Sequence, residues 1–262
     1  MQQRIIAVAN HKGGCGKTTT AFNLAGALAE KRLKVLLVDM DAQAALSKGF
    51  GAAAADGLCL SDALASESVD LNQLIRATPI ANVRIIPADE RLREVELGLA
   101  GKFGRELRLR AALREHPQAE YQFILVDCAP SLGFLMGNAL VAAGEVLIPV
   151  DLGTDSLDAM VETMEHMRFI RKEINYTLRT LGILINDVKS RTLYMQQAEE
   201  FLRGKYGELV FRTTVASSVV VPDAKRARQP IVYYQPRSAL AEQYRQLADE
   251  VIARGEGRHG PS

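Results

Sequence analysis

Apolar runs of strand length alternate along most of the chain with segments of helical period. The runs suited to strands cover residues 5–9, 35–39, 83–87, 123–127, 146–150, 181–186 and 209–215. Most are continuously apolar and not alternating, as expected of parallel strands covered on both faces. Between them, Ala21, Leu24, Ala25 and Leu28 share one face of a helix predicted from near Thr18. Further helices are predicted over residues 90–115, 156–175, 194–206 and 238–254. This alternation implies an α/β fold, a doubly wound, mostly parallel sheet flanked by helices. No repeat or linker interrupts it, so residues 1–254 are expected to form one domain, with residues 255–262 a fraying tail.

Composition narrows the setting. With 48% apolar and 24% charged residues the sequence suits a globular protein, and a net charge of +1 excludes a polycation. Binding to nucleic acid would therefore have to come from local basic clusters. Cys15, Cys59 and Cys128 form no CxxC pair, which argues against a disulfide framework or zinc site and suits a reducing compartment. No leader pattern opens the sequence and no run approaches a membrane span, so a cytoplasmic protein is expected.

The most informative chemistry follows the first predicted strand. His11-Lys12-Gly13-Gly14-Cys15-Gly16-Lys17-Thr18 is a glycine-rich turn between a strand and a helix, the context of a phosphate-binding P-loop. Glycines let backbone N–H groups converge on phosphate, and the helix amino terminus adds a favourable dipole. Lys17 is then expected on the β- and γ-phosphates of ATP, and Thr18 on Mg²⁺. Two acids, Asp39 and Asp41, end the second strand, where parallel sheets bind ligands. Asp127 ends another apolar run in the Walker-B manner and is expected to hold Mg²⁺ through water.

Position 11 is His where the general motif has Gly, and a second lysine opens the loop: Lys12-Gly13-Gly14-Cys15-Gly16-Lys17-Thr18-Thr19. Here the sequence resembles the ParA/MinD family of deviant Walker-A ATPases, whose KGGxGKTT signature it matches in full. The resemblance implies that Lys12 reaches the partner's nucleotide in an ATP-dependent homodimer, and that Asp41 positions the attacking water. It also implies that Asp39 lies near Mg²⁺ and that Asn186 contacts adenine. Asp39-Met40-Asp41-Ala42-Gln43 departs from the family's D-x-D-P-Q at Ala42. Cys128-Ala129-Pro130-Ser131-Leu132-Gly133 departs from its second switch at Ala129.

MinD-like relatives hold membranes through a carboxy-terminal amphipathic helix. Here Leu240, Leu247, Val251 and Ile252 read as a core-facing stripe followed by a polar tail, so no membrane binding is expected. ParA/Soj relatives instead bind DNA without sequence preference and are released when a ParB-like or other adaptor stimulates hydrolysis. Arg191 matches a family DNA-contact position, whereas a second family arginine is replaced by Val220. Lys225, Arg226 and Arg228 are expected to compensate, and Lys189, Arg168, Arg171 and Lys172 are further candidates. Each cluster reads equally as a solvated face. The resemblance thus implies a nucleoid-associated partition or positioning ATPase. A MinD-like membrane regulator, a cluster-bearing redox ATPase and a non-hydrolysing ATP binder are the rival readings.

Overall fold

A computed structural model of the protein describes residues 2–52, 57–66, 69–115, 120–186 and 192–256. In chain order the strands are β1 (Arg4–Val8), β2 (Val35–Met40), β3 (Arg76–Ala77), β4 (Val83–Ile86), β5 (Phe123–Cys128), β6 (Glu145–Val150) and β7 (Arg179–Ile185). The helices are α1 (Lys17–Glu30), α2 (Ala45–Gly49), α3 (Leu60–Ala65), α4 (Leu92–Gly98), α5 (Arg108–Glu115) and α6 (Phe134–Ala142). They continue with α7 (Thr154–Glu173), α8 (Leu193–Tyr206), α9 (Val221–Arg226), α10 (Ile231–Tyr234) and α11 (Ala239–Glu256).

The strands form one sheet in the order β3-β4-β2-β5-β1-β6-β7. All pairings are parallel except that of the short β3 with β4. The doubly wound sheet expected from sequence is the architecture observed. Alternate residues of each strand enter opposite cores: Ala7, Leu36, Val38, Ile124 and Val126 pack with α5, α6 and α7, and Ile6, Val8, Val35, Leu37 and Leu125 with α1 and α11. Burial on both faces is why these strands read as unbroken apolar runs.

Two expectations are corrected, and one helix had not been predicted. The helix over residues 90–115 is two, α4 and α5, because the chain passes through left-handed backbone at Gly101 (φ 80°) and Gly104 (φ 72°). The strand over residues 209–215 is instead an irregular segment beside β7, tied by a bridge between Ile183 and Val210 and by Phe211 and Val215 N–H donating to the Ile183 and Ile185 carbonyls. Two of its backbone donors are diverted, since Arg212 and Thr213 N–H both donate to the Glu250 carboxylate. Helix α6 had no periodic signal because all nine of its residues are buried. The carboxyl ends of β1, β2, β5 and β6 open onto one rim of the sheet, where residues 9–16 join β1 to α1.

Candidate functional site

The loop between β1 and α1 is tied down from three sides. Buried Asn10 donates from Nδ2 to the Pro149 carbonyl at 2.8 Å and accepts the Lys12 N–H at 3.1 Å. His11 straps the loop to α7: its N–H donates to Thr163 Oγ1 at 3.1 Å, and its ring meets the Ala159 carbonyl at 3.1 Å and Glu162 at 3.2 Å. On the far side Asn186 Nδ2 donates to the Cys15 carbonyl at 3.0 Å. Gly16 sits at φ 91°, and a Cβ there would lie 1.9 Å from Asn186 Nδ2, so only glycine fits.

Gly16 caps α1 without a side chain, and no acid occupies the first turn. The first N–H donors of this 14-residue helix therefore face the loop unsatisfied, an anion site by dipole and by geometry. Lys17 is buried beside them, its ammonium donating to the Lys12 carbonyl at 2.7 Å. The Cys15 thiol donates to the same carbonyl at 3.3 Å, and burial raises its pKa. It is a small packed side chain, as is buried Cys128, and Cys59 is also free.

Parallel pairing of β2 and β5 sets Asp39 directly beside Asp127. Both are fully buried, and burial pushes both pKa values upward. Asp39 is nevertheless well served: it accepts the Asp41 N–H at 3.1 Å, the Ser47 N–H at 2.9 Å and the Ser47 hydroxyl at 2.7 Å. Asp127 is not. Neither of its oxygens has a hydrogen-bond partner of normal geometry. The adjacent Asp39 adds to the effect of burial, and the Thr18 hydroxyl and Lys17 ammonium oppose it without cancelling it.

Buried orphan oxygens of this kind suit a hard divalent cation. Among the described residues no three His, Cys, Asp or Glu gather into a metal cage. Mg²⁺ takes one or two carboxylates and completes its shell with water and phosphate. Of the acids expected near the metal, Asp127 is free to face it, whereas Asp39 spends both oxygens bracing the Asp41 turn and α2. Asp41 itself lies partly exposed at the rim, its Oδ1 accepting the Gln43 N–H at 2.9 Å.

Lys12 is held by its own chain. Its ammonium lies 3.3 Å from Asp151, which leaves β6 and also accepts the Gly153 N–H at 2.9 Å. The basic run near the carboxyl terminus does not form one surface. Arg226 is exposed and paired with Asp223 at 3.1 Å. Arg228, at φ 57°, lays its guanidinium across Gly51. Lys225 turns inward and donates to Thr19 Oγ1 at 3.1 Å; burial lowers its pKa and the nearby Asp127 charge partly restores it. Of the three residues expected to compensate for Val220, Lys225 is thus turned to the loop helix, while Arg226 and Arg228 remain exposed. Lys189 and Arg191 fall outside the described residues. Arg168, Arg171 and Lys172 are exposed on α7. Asn10, Asp151 and Asn186 as braces of the loop, and Ser47 as a brace of the Asp41 turn, were missed, because their partners lie in other segments.

A family model described as an AAA domain matches residues 3–180. The sporulation initiation inhibitor protein Soj of Bacillus subtilis is 38% identical over 253 residues, covering 96% of this chain and 99% of that protein. The chain belongs to the ParA/Soj family of partition ATPases. Among solved structures, this ParA/Soj-family chain is similar to cobyrinic acid a,c-diamide synthase from Mycobacterium smegmatis with bound ADP and magnesium. That likeness has a TM-score of 0.83 at 28% identity, covering 100% of this chain and 99% of the synthase chain. The cell division ATPase MinD of Pyrococcus furiosus has a TM-score of 0.78 at 26% identity, covering 96% and 99% of the two chains. Among the described residues no helix is long and apolar enough to cross a membrane.

Proposed function

We propose that this ParA/Soj-family protein is an ATP-driven partition or positioning switch. It closes as a homodimer on Mg-ATP, binds DNA without sequence preference, and is released when an adaptor protein stimulates hydrolysis. The observation that carries the ATPase reading is the uncapped amino end of α1, with Lys17 folded over it and the orphaned Asp127 opposite. Residues Lys12 to Thr19 supply the phosphate cradle, and Thr18 and Asp127 are the groups that would hold Mg²⁺. The metal, when bound, neutralises charge developing on the phosphates. Asp41 would orient the attacking water from a turn at the rim that Asp39 and Ser47 brace.

Lys12 supports the dimer reading. Paired with Asp151 in the isolated chain, it must leave that carboxylate to reach a second subunit's nucleotide. The ion pair is only partly buried, so an exposed-pair value of about 0–1 kcal/mol opposes its release. The triphosphate of a partner offers more charge than one carboxylate. A cation delivered in trans can raise phosphoryl-transfer rates by about 10³–10⁵. Arg191, Arg226 and Arg228 are the candidate DNA contacts.

The test is titration onto random-sequence duplex DNA at low salt with Mg-ATP and with Mg-ADP, alongside Lys12→Gln. Binding with ATP only, lost in Lys12→Gln and weakened steeply by salt, is the expected result. Equal binding with both nucleotides, or none with either, would overturn the DNA-linked switch and leave the ATPase assignment standing.

A further inference from the structure

The inward turn of Lys225 has no role in the switch just described. Its ammonium stands against the first turn of α1, where its one hydrogen bond among the described residues goes to a neutral hydroxyl, Thr19 Oγ1, at 3.1 Å. No acid of the described residues lies within ion-pair distance of it. Its stem is set by packing, with Cγ 4.0 Å from where a Cβ on Gly49 would be. Helix α9, which carries it, is anchored by buried Ala224.

This is an unfavourable place for a lysine. The amino end of a helix carries partial positive charge, so cations are stabilising at the opposite end. A partly buried ammonium without an ion pair adds a desolvation cost, which the Asp127 charge beyond ion-pair distance offsets only in part. Asp151 already engages Lys12, and Lys17 is bonded to the loop's own carbonyl. An anion between Lys225 and the helix terminus would remove both penalties. Lys17 and Thr18 occupy the first two helical positions and face the β- and γ-phosphates and Mg²⁺. Thr19 is the next residue round the turn, on the side left for the α-phosphate, which phosphate loops also cradle.

We propose that Lys225 is a phosphate ligand of the nucleotide site, directed at the α-phosphate of the bound adenine nucleotide. The proposal rests on the nucleotide-site reading above. It moves Lys225 from the DNA surface to the ligand, and it makes α9 a segment that nucleotide binding holds in place. An α-phosphate ligand serves ADP and ATP alike, unlike a lysine aimed at the γ-phosphate.

The experiment measures binding of Mg-ADP and of a slowly hydrolysed Mg-ATP analogue by calorimetry, for wild type and Lys225→Met, with nucleotide-free melting of both. Lys225→Met keeps the stem packed on Gly49 and removes the charge. Affinity for both nucleotides should fall by a similar factor of about 10–100, the worth of a hydrogen bond to a charged group. Melting of the nucleotide-free variant should be unchanged or raised. Unchanged affinity for both nucleotides would overturn the proposal, and loss confined to the ATP analogue would overturn the α-phosphate assignment. If Lys225→Met melts lower, Lys225→Arg decides: recovery of affinity with the charge supports the proposal, and equal loss in both variants overturns it. Failure of wild type to bind either nucleotide would instead overturn the site reading, and this proposal with it.

Discussion

At Asp127, folding takes a carboxylate out of water and gives neither oxygen a partner of normal geometry. Burial and the neighbouring Asp39 raise its pKa above the unfolded value. The sign follows: a carboxylate with a raised folded pKa favours the fold at low pH, and that contribution is lost as pH climbs through the raised value. Asp127→Asn removes the charge at every pH. The nucleotide-free variant should therefore melt above wild type on the alkaline side, the gap closing near the ordinary carboxylate pKa of about 4. Its nucleotide binding should lose its Mg²⁺ dependence. Melting curves across pH check this, and a variant no more stable than wild type above neutrality would sink it. The expectation at Asp127 needed only local context, an acid ending an apolar run. The inward turn of Lys225 was not legible, because a basic run states charge and not direction. Asp151 and Ser47 left no local trace, since their partners lie 139 and 8 residues away.

The Asp41 turn and α2 show how a short element is held by one buried acid. Asp39 receives three hydrogen bonds, two of them from Ser47. The Ser47 hydroxyl also accepts the Ala88 N–H at 3.0 Å, tying α2 to the segment after β4. Ser47→Ala deletes a bond to a charged group and strands the Ala88 donor, a loss of about 1.5–3 kcal/mol in stability. It should also loosen the Asp41 turn. Phosphate release should slow several-fold while affinity for Mg-ATP changes little, because Ser47 touches neither loop nor Asp127. Steady-state kinetics beside a binding isotherm separates the two effects, and a fall in affinity with kcat intact would refute the positioning role. Strands of this sheet were readable because burial on both faces writes itself as continuous apolar sequence. Helix α6 and the two-residue β3 were not, one being apolar all round and the other too short to carry a period. The segment after α8 misled because its apolar residues face a core while Glu250 takes two of the backbone donors and leaves the ladder with β7 incomplete.

The two ends of the sheet treat buried charge in opposite ways, and this fixes how stability of the whole chain should vary with pH. At the loop end, Asp39 and Asp127 have raised pKa values. At the other end Glu145 joins three strands: Arg4 of β1 donates to it at 2.6 Å and Arg179 of β7 at 2.8 Å, while Arg4 also donates to the Val251 carbonyl of α11 at 2.5 Å. Burial pushes the Glu145 pKa up, but the two arginines outweigh it and hold the carboxyl below its ordinary value. Its contribution is therefore present above the unfolded pKa and lost as pH falls through the depressed folded one. The nucleotide-free protein should lose stability on both sides: on the acid side through Glu145, below the ordinary carboxylate pKa of about 4, and on the alkaline side of that value through Asp127, as pH rises to its raised folded pKa. Mg-ADP should remove only the alkaline loss, because the metal supplies the charge that Asp127 lacks. Glu145→Gln should flatten only the acid side. It should cost about 3 kcal/mol at neutral pH, since the Arg4 side chain, 10% exposed, is left without its anion. Arg179, 43% exposed, adds little to that figure. Denaturant unfolding of wild type and variant across pH, with and without Mg-ADP, separates the two ends. A Glu145→Gln protein as stable as wild type at neutral pH would show that the ion pair does not hold this end of the sheet. An alkaline loss insensitive to Mg-ADP would show that Asp127 does not face the metal.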